Sequence, residues 1–169
     1  EVSKAVDSLI RGKLVAFPTE TVYGLGGDAT NEEAVKRIYK VKGRPTDRPL
    51  ILHVPDLATV KKVVLNWASS ESKLASRFWP GPLTLVLKNG GLITESASAG
   101  YETIAVRIPS HPFALSMLES FSKSGSGIVA APSANRFSFV STTNAKDVEM
   151  SLQNYLDKAD TIVSSNSKD

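Results

Sequence analysis

Val2, Ala5, Val6, Leu9 and Ile10 recur at the spacing of one helix face, and Gly12 ends the run, so residues 2–11 are predicted helical. The pattern then shortens. Leu14-Val15-Ala16-Phe17 is a continuous apolar run stopped by Pro18, the mark of a short buried strand. Thr30-Asn31-Glu32-Glu33 reads as a capping box, Thr30 capping and Glu33 reaching back, ahead of a helix whose apolar face is Ala34, Val35, Ile38 and Tyr39. Further strands are predicted over 50–54, 83–87, 103–108, 127–131 and 161–163. Further helices are predicted from Asp56 toward Trp67, over 72–78, over 112–121 and from Asn144 toward Leu156. Residues 90–100 and 122–127 read as loops. In 103–108, Ile104, Val106 and Ile108 share one face of the strand, and Thr103, Ala105 and Arg107 the other. The alternation of strands and helices, with no repeat or linker, predicts an α/β domain spanning 1–169. Its irregular order predicts a twisted, mixed sheet with flanking helices rather than a simple βαβ series.

Composition narrows the chemistry. At 169 residues the chain buries enough surface to fold without a disulfide or metal staple. It has no Cys, which excludes disulfides, thiolate zinc sites and a cysteine nucleophile, and its two histidines, His53 and His111, do not make a His-only metal site. No apolar stretch approaches the ~20 residues of a membrane span, and no signal pattern opens the chain, so a cytoplasmic location is expected. The net charge of +3 is modest, and its content is local.

Four stretches carry candidate chemistry. Pro18-Thr19-Glu20-Thr21-Val22-Tyr23-Gly24-Leu25-Gly26-Gly27 is dense in hydroxyls and glycines. Its glycines lie too far from both strand and helix for a dinucleotide fingerprint. Glycines alone fit a positive-φ turn, and the flanking Thr19, Thr21 and Tyr23 favour a binding loop. Between Lys36 and Arg48, six basic residues (Lys36, Arg37, Lys40, Lys42, Arg44 and Arg48) face a single acid, Asp47. Lys36, Arg37 and Lys40 fit a solvated helix face. Lys42, Arg44 and Arg48 are read as part of an irregular Gly- and Pro-bounded loop, where guanidinium forks and an ammonium suit polyphosphate or, alternatively, an RNA backbone. Arg107 sits mid-strand, on an exposed face or as an anion anchor in a cavity. Ala131-Pro132-Ser133-Ala134-Asn135 follows a strand end, as an ordinary turn or as ligand-binding groups. His53 reads as a hydrogen-bonded core residue and His111 as a helix-entry residue. Together these point to a nucleotide site with no protein metal cage, any Mg²⁺ riding on the phosphates.

The ordered set of motifs resembles the YrdC-like family, the threonylcarbamoyl-AMP synthases of transfer-RNA modification. The matching stretches run from Phe17-Pro18-Thr19-Glu20-Thr21-Val22-Tyr23-Gly24-Leu25 and Ile38-Tyr39-Lys40-Val41-Lys42-Gly43-Arg44-Pro45 through Pro49-Leu50-Ile51-Leu52-His53-Val54 and Trp79-Pro80-Gly81-Pro82-Leu83-Thr84 to Val106-Arg107-Ile108-Pro109 and Ala131-Pro132-Ser133-Ala134-Asn135. The resemblance implies a YrdC-like fold with a basic cavity and a nucleotidyltransferase activity. L-threonine, bicarbonate and ATP would give threonylcarbamoyl-adenylate and pyrophosphate. A partner complex would pass the threonylcarbamoyl group to the adenosine beside the anticodon of ANN-decoding tRNAs. It implies ATP contacts from Lys42, Arg44, Arg48, Thr103, Ser133, Asn135 and Ser141, with Lys42 and Arg44 catalytic. It implies threonine contacts from Thr21, His53, Arg107 and the Ala131 backbone. Family members continue into a Gly-x-x-Ser-Thr segment, and Ser164-Ser165-Asn166-Ser167-Lys168-Asp169 stops short of it, so a truncated end and no second domain are expected.

Two other readings share these residues. A double-stranded RNA or tRNA-binding module would use the basic stretch, although aromatics are only 7% and no strand offers a stacking platform. A relative handling carbamoyl-adenylate in hydrogenase maturation would share the nucleotide chemistry, but the chain has no acylphosphatase or zinc-finger segment.

Overall fold

The computed structural model describes residues 1–164; the end of the chain on which the truncation rests lies, from residue 165, outside the described residues. The elements run α1 (Val2–Ile10), β1 (Val15–Phe17), β2 (Gly24–Asp28), α2 (Glu32–Lys42), β3 (Ile51–His53), α3 (Leu57–Val63), α4 (Ser69–Phe78), β4 (Leu85–Lys88), α5 (Glu95–Ser98), β5 (Thr103–Arg107), α6 (Pro112–Ser124), β6 (Val129–Ala130), α7 (Ala145–Leu152) and β7 (Thr161–Ile162). Seven strands form one sheet in the order β4-β5-β3-β6-β2-β1-β7. It is mixed, as the irregular order predicts: β1 with β7 and β3 with β5 are parallel, and the remaining neighbours are antiparallel.

Period-two alternation divides the core between the two faces of the sheet. Val15 and Phe17 of β1 pack with α1 and α6, through Ala5, Leu9, Phe113, Met117 and Phe121. Leu14 and Ala16 face the other way, toward Val35 and Ile38 of α2 and Val148 and Leu152 of α7. The same split places Val129 and Ala131 on the α1/α6 side and Ile128 and Ala130 on the α2 side.

Several local expectations change. Residues 24–28 form β2, not a turn, and none of Gly24, Gly26 and Gly27 has a positive φ. Gly26 is needed for space. A Cβ on Gly26 would lie 2.5 Å from Val129 Cγ1 and 2.9 Å from Phe17 Cε1. The N-cap of α2 is Asn31, whose Oδ1 accepts from Ala34 N–H at 3.1 Å, while Thr30 turns back to Asp28. Helix α4 starts earlier than expected, with the Glu71 carboxylate accepting from Ala68 N–H. The loop over 90–100 contains the short α5, and α7 stops at Leu152. His111 enters α6 as expected, its Nδ1 accepting from Phe113 N–H at 3.1 Å.

Candidate functional site

The connection between the antiparallel neighbours β1 and β2 is an irregular, hydroxyl-rich loop. Thr19 Oγ1 donates to the Val22 carbonyl at 2.6 Å and lies 3.0 Å from Thr21 Oγ1, so the loop is pinned by its own threonines. The segment after β6 docks against its far end. Leu25 N–H donates to Pro132 O, Ala134 N–H to Tyr23 O and Tyr23 N–H to Thr142 O. Between them, on the α1/α6 face of the sheet, opens a cavity of about 300 Å³. Its lining brings together Thr19, Thr21, His53, Arg107, Ser133 and Arg44.

Arg107 and His53 stand in register on the parallel neighbours β5 and β3, so both side chains leave the same face. Arg107 is buried. Its Nε donates to Gly81 O and its Nη1 to Thr21 Oγ1, each at 3.2 Å, and its Nη2 pairs with the Glu20 carboxylate. Burial pulls its pKa below the usual guanidinium value. The exposed-face alternative for Arg107 is thereby set aside: it lines the cavity. His53 is buried edge-on to Phe17, with ring centroids 6.0 Å apart. Its Nδ1 has no hydrogen-bond partner, while the Ile51 backbone lies close enough to oppose the fall in its pKa. Desolvation lowers its pKa to about 4, which keeps the imidazole neutral at pH 7.

The basic stretch divides by location. Lys42 belongs to the last turn of α2 rather than to the loop, and only 1% of it is exposed. Its ammonium donates to the carbonyls of Ser133 and Asn135. Burial, with Arg44 and Arg136 adding repulsion, lowers its pKa to about 8. Gly43 then turns the chain at φ 62°, where a Cβ would meet Arg136 Nη2 at 2.6 Å. Arg44 is half-buried and reaches the cavity. Its Nε donates to Arg48 O at 3.2 Å and Nη2 to Pro49 O at 2.9 Å, closing the loop on itself. Arg48 is exposed, and both guanidiniums approach the Phe137 ring, at 5.9 and 5.6 Å from its centroid. Arg37 is not a solvated helix residue: it forks onto Asp160, whose side chain is 1% exposed. Lys36 lies 3.7 Å from Glu32.

Asn135 is buried beside this clamp. Its Nδ2 donates to the Arg136 and Phe139 carbonyls, and its Oδ1 is unpartnered. Two expected ATP contacts lie elsewhere. Thr103 is exposed at the opposite end of β5 from Arg107, paired with Lys88, and Ser141 lines a neighbouring cavity with Arg136, Asp147 and Tyr155. Glu20 was not singled out in the sequence, though it is the one acid in a hydroxyl-rich loop; only its contact with a buried arginine marks it. Among the described residues no three His, Cys, Asp or Glu side chains gather into a cation site. No helix there is long and apolar enough to cross a membrane.

The sequence model of the Sua5/YciO/YrdC family, described as telomere recombination, matches residues 7–168. A threonylcarbamoyl-AMP synthase of Pyrococcus abyssi is 47% identical over 137 residues, covering 81% of this chain and 39% of that protein. One of Bacillus subtilis is 42% identical over 154 residues, covering 90% of this chain and 43% of that protein. The chain therefore spans about two fifths of the length of these curated relatives. The crystal structure of P. abyssi Sua5 complexed with L-threonine superposes with a TM-score of 0.89 at 40% identity, over 96% of this chain and 46% of that one.

Proposed function

The chain belongs to the Sua5/YciO/YrdC family, and on that footing we propose that its cavity binds L-threonine and, with ATP and bicarbonate, makes threonylcarbamoyl-adenylate. The observation that carries this reading is the meeting of a buried cation and a neutral imidazole acceptor in a space of amino-acid size. Arg107 and an unpartnered His53 Nδ1 line a cavity of about 300 Å³, with Arg44 at its rim. The P. abyssi structure with L-threonine supports an amino acid as the occupant.

The chemistry follows from these groups. Arg107 and Thr21 receive the substrate carboxylate, and His53, unprotonated at neutral pH, accepts a hydrogen bond from the threonine hydroxyl or amine. A buried acceptor left unpaired disfavours analogues that lack the matching donor. The amine condenses with bicarbonate to a carbamate, releasing water. A carbamate oxygen then attacks the α-phosphorus of ATP, the bond to the bridging oxygen breaks and pyrophosphate leaves. Such a transfer depends on positioning and charge neutralisation rather than on a protein nucleophile. Arg44 supplies a guanidinium toward the phosphates, with Arg48 outside it. Ser133 presents its hydroxyl and backbone at the cavity wall. Lys42 acts through the Ser133 and Asn135 carbonyls, holding that wall in place. Mg²⁺ carried by the ATP phosphates would add to the neutralisation of charge there.

The product would serve a threonylcarbamoyl-transferase complex acting on tRNA in the cytoplasm. Direct RNA binding is the weaker reading, because Arg37 is committed to Asp160 and Lys42 is buried. The test is to incubate the protein with ATP, Mg²⁺, L-threonine and labelled bicarbonate. Threonine-dependent release of pyrophosphate, with label in an adenylate, is the expected result. Pyrophosphate formed equally without threonine, or none at all, removes the assignment.

A further inference from the structure

Glu20 stands outside the substrate groups assigned above, yet it holds the residue on which they depend. One carboxylate oxygen pairs with Arg107 Nη2, and the other accepts from both the N–H and the hydroxyl of Ser110. A carboxylate ligand meets a guanidinium bidentately either through Nη1 and Nη2 or through Nε and Nη2. Both modes use Nη2, the nitrogen that Glu20 occupies. Arg107 is 7% exposed, so an unpaired guanidinium there would be costly, and Glu20 relieves that cost when the cavity is empty. The Glu20 side chain is itself about a fifth exposed and lies on an irregular loop, while Ser110 is at the surface. Ser110 thus steadies the carboxylate on Arg107 in the free protein, at a position open enough to let it leave.

We propose that Glu20 is a resident competitor for the substrate carboxylate, occupying Arg107 in the free protein and yielding it to the incoming amino acid. The proposal rests on the reading of the cavity as an amino-acid site and adds a residue that sets its affinity and selectivity. Because the ligand carboxylate replaces Glu20 instead of adding to it, the affinity gained is the difference between two similar ion pairs. A ligand without a carboxylate leaves Glu20 in place and is indifferent to it. The same exchange run backwards returns Glu20 to Arg107 as the product leaves.

The experiment is calorimetric titration of wild type and Glu20→Gln with L-threonine and with L-threoninol, which lacks only the carboxylate. Glu20→Gln is expected to bind threonine roughly tenfold more tightly and threoninol unchanged. Threonine should also raise the Tm of Glu20→Gln by more than that of wild type. Weaker threonine binding would make Glu20 a support for Arg107 rather than its competitor. Unchanged binding, or equal tightening of both ligands, overturns the proposal as well. Should Glu20→Gln fail to fold, Ser110→Ala loosens the same carboxylate and is expected to shift threonine affinity in the same direction by less; no shift, or weaker binding, counts against the exchange. Failure of the substrate reading is seen separately, as wild type binding no threonine. In that event a double-mutant cycle of Glu20→Gln with Arg107→Met on stability tests the pair without ligand, and additive effects refute it.

Discussion

Lys42 and Asn135 are 93 positions apart, and the Lys42 ammonium donates to the Asn135 carbonyl. It donates to Ser133 O as well, so one side chain at the end of α2 fixes the loop that follows β6. That loop is also stitched to the β1–β2 connection at Tyr23 and to β2 at Leu25, which makes Lys42 a brace for two walls of the cavity.

Lys42→Met should therefore weaken the fold as well as the site. It strands the buried Asn135 carbonyl and takes one of two donors from Ser133 O, which keeps Asn135 N–H. A loss of about 1–3 kcal/mol, the cost of one unsatisfied buried group, is expected in denaturant unfolding, with nucleotide binding lost even where the protein is still folded. A variant as stable as wild type would show that the brace is dispensable.

Arg44→Ala should separate binding from stability. Arg44 is half-buried, and its bonds to the Arg48 and Pro49 carbonyls are exposed, so unfolding should change by no more than about 1 kcal/mol. ATP affinity should fall by roughly tenfold or more, because a charged donor to phosphate is lost. Fluorescent-nucleotide titration beside a thermal melt reads both, and unchanged ATP affinity takes Arg44 out of the phosphate site.

His53 predicts an acid-sensitive fold. Its pKa is lowered from 6.5 to about 4 by burial, so between those values the unfolded chain binds the proton and the folded chain does not. Stability from this group is full above pH 6.5 and falls as pH drops toward 4, by on the order of 3 kcal/mol in all. His53→Gln should flatten this part of the stability–pH profile. An identical slope in the variant would place the acid sensitivity elsewhere.

Gly26→Ala tests why β2 is built of glycine. The added methyl would stand 2.5 Å from Val129 Cγ1 and 2.9 Å from Phe17 Cε1, both in the core on the α1/α6 face. Neither neighbour has room to withdraw, so a loss of about 1–3 kcal/mol is expected from overpacking. A melting temperature within a degree of wild type would contradict the close approach.

Apolar periodicity was enough to place most of the elements and the membership of the core. Where apolar residues repeat with the period of a helix or a strand, the solvent boundary dictates the element, and α1, α2, α6, β1, β3 and β5 follow that rule. The candidate stretches also located groups that line the cavity. Arg107, alternating with Ile104, Val106 and Ile108, was legible as facing another side, and the hydroxyls of residues 19–23 as a loop of interest.

What each polar group does depends on partners far away in the chain, so local pattern does not reveal it. β2 was invisible since glycines carry no side chain to show a period; its neighbours Phe17 and Val129 are what require Gly26. Lys42 and Arg44 stand two positions apart and look alike as cations, yet one is buried on carbonyls and the other lies at the cavity rim. Glu20 gained its meaning from Arg107 and Ser110, some ninety residues on, brought to it by the sheet. Local patterning reports whether a position meets water or the core; the charge that answers a charge is set by the fold.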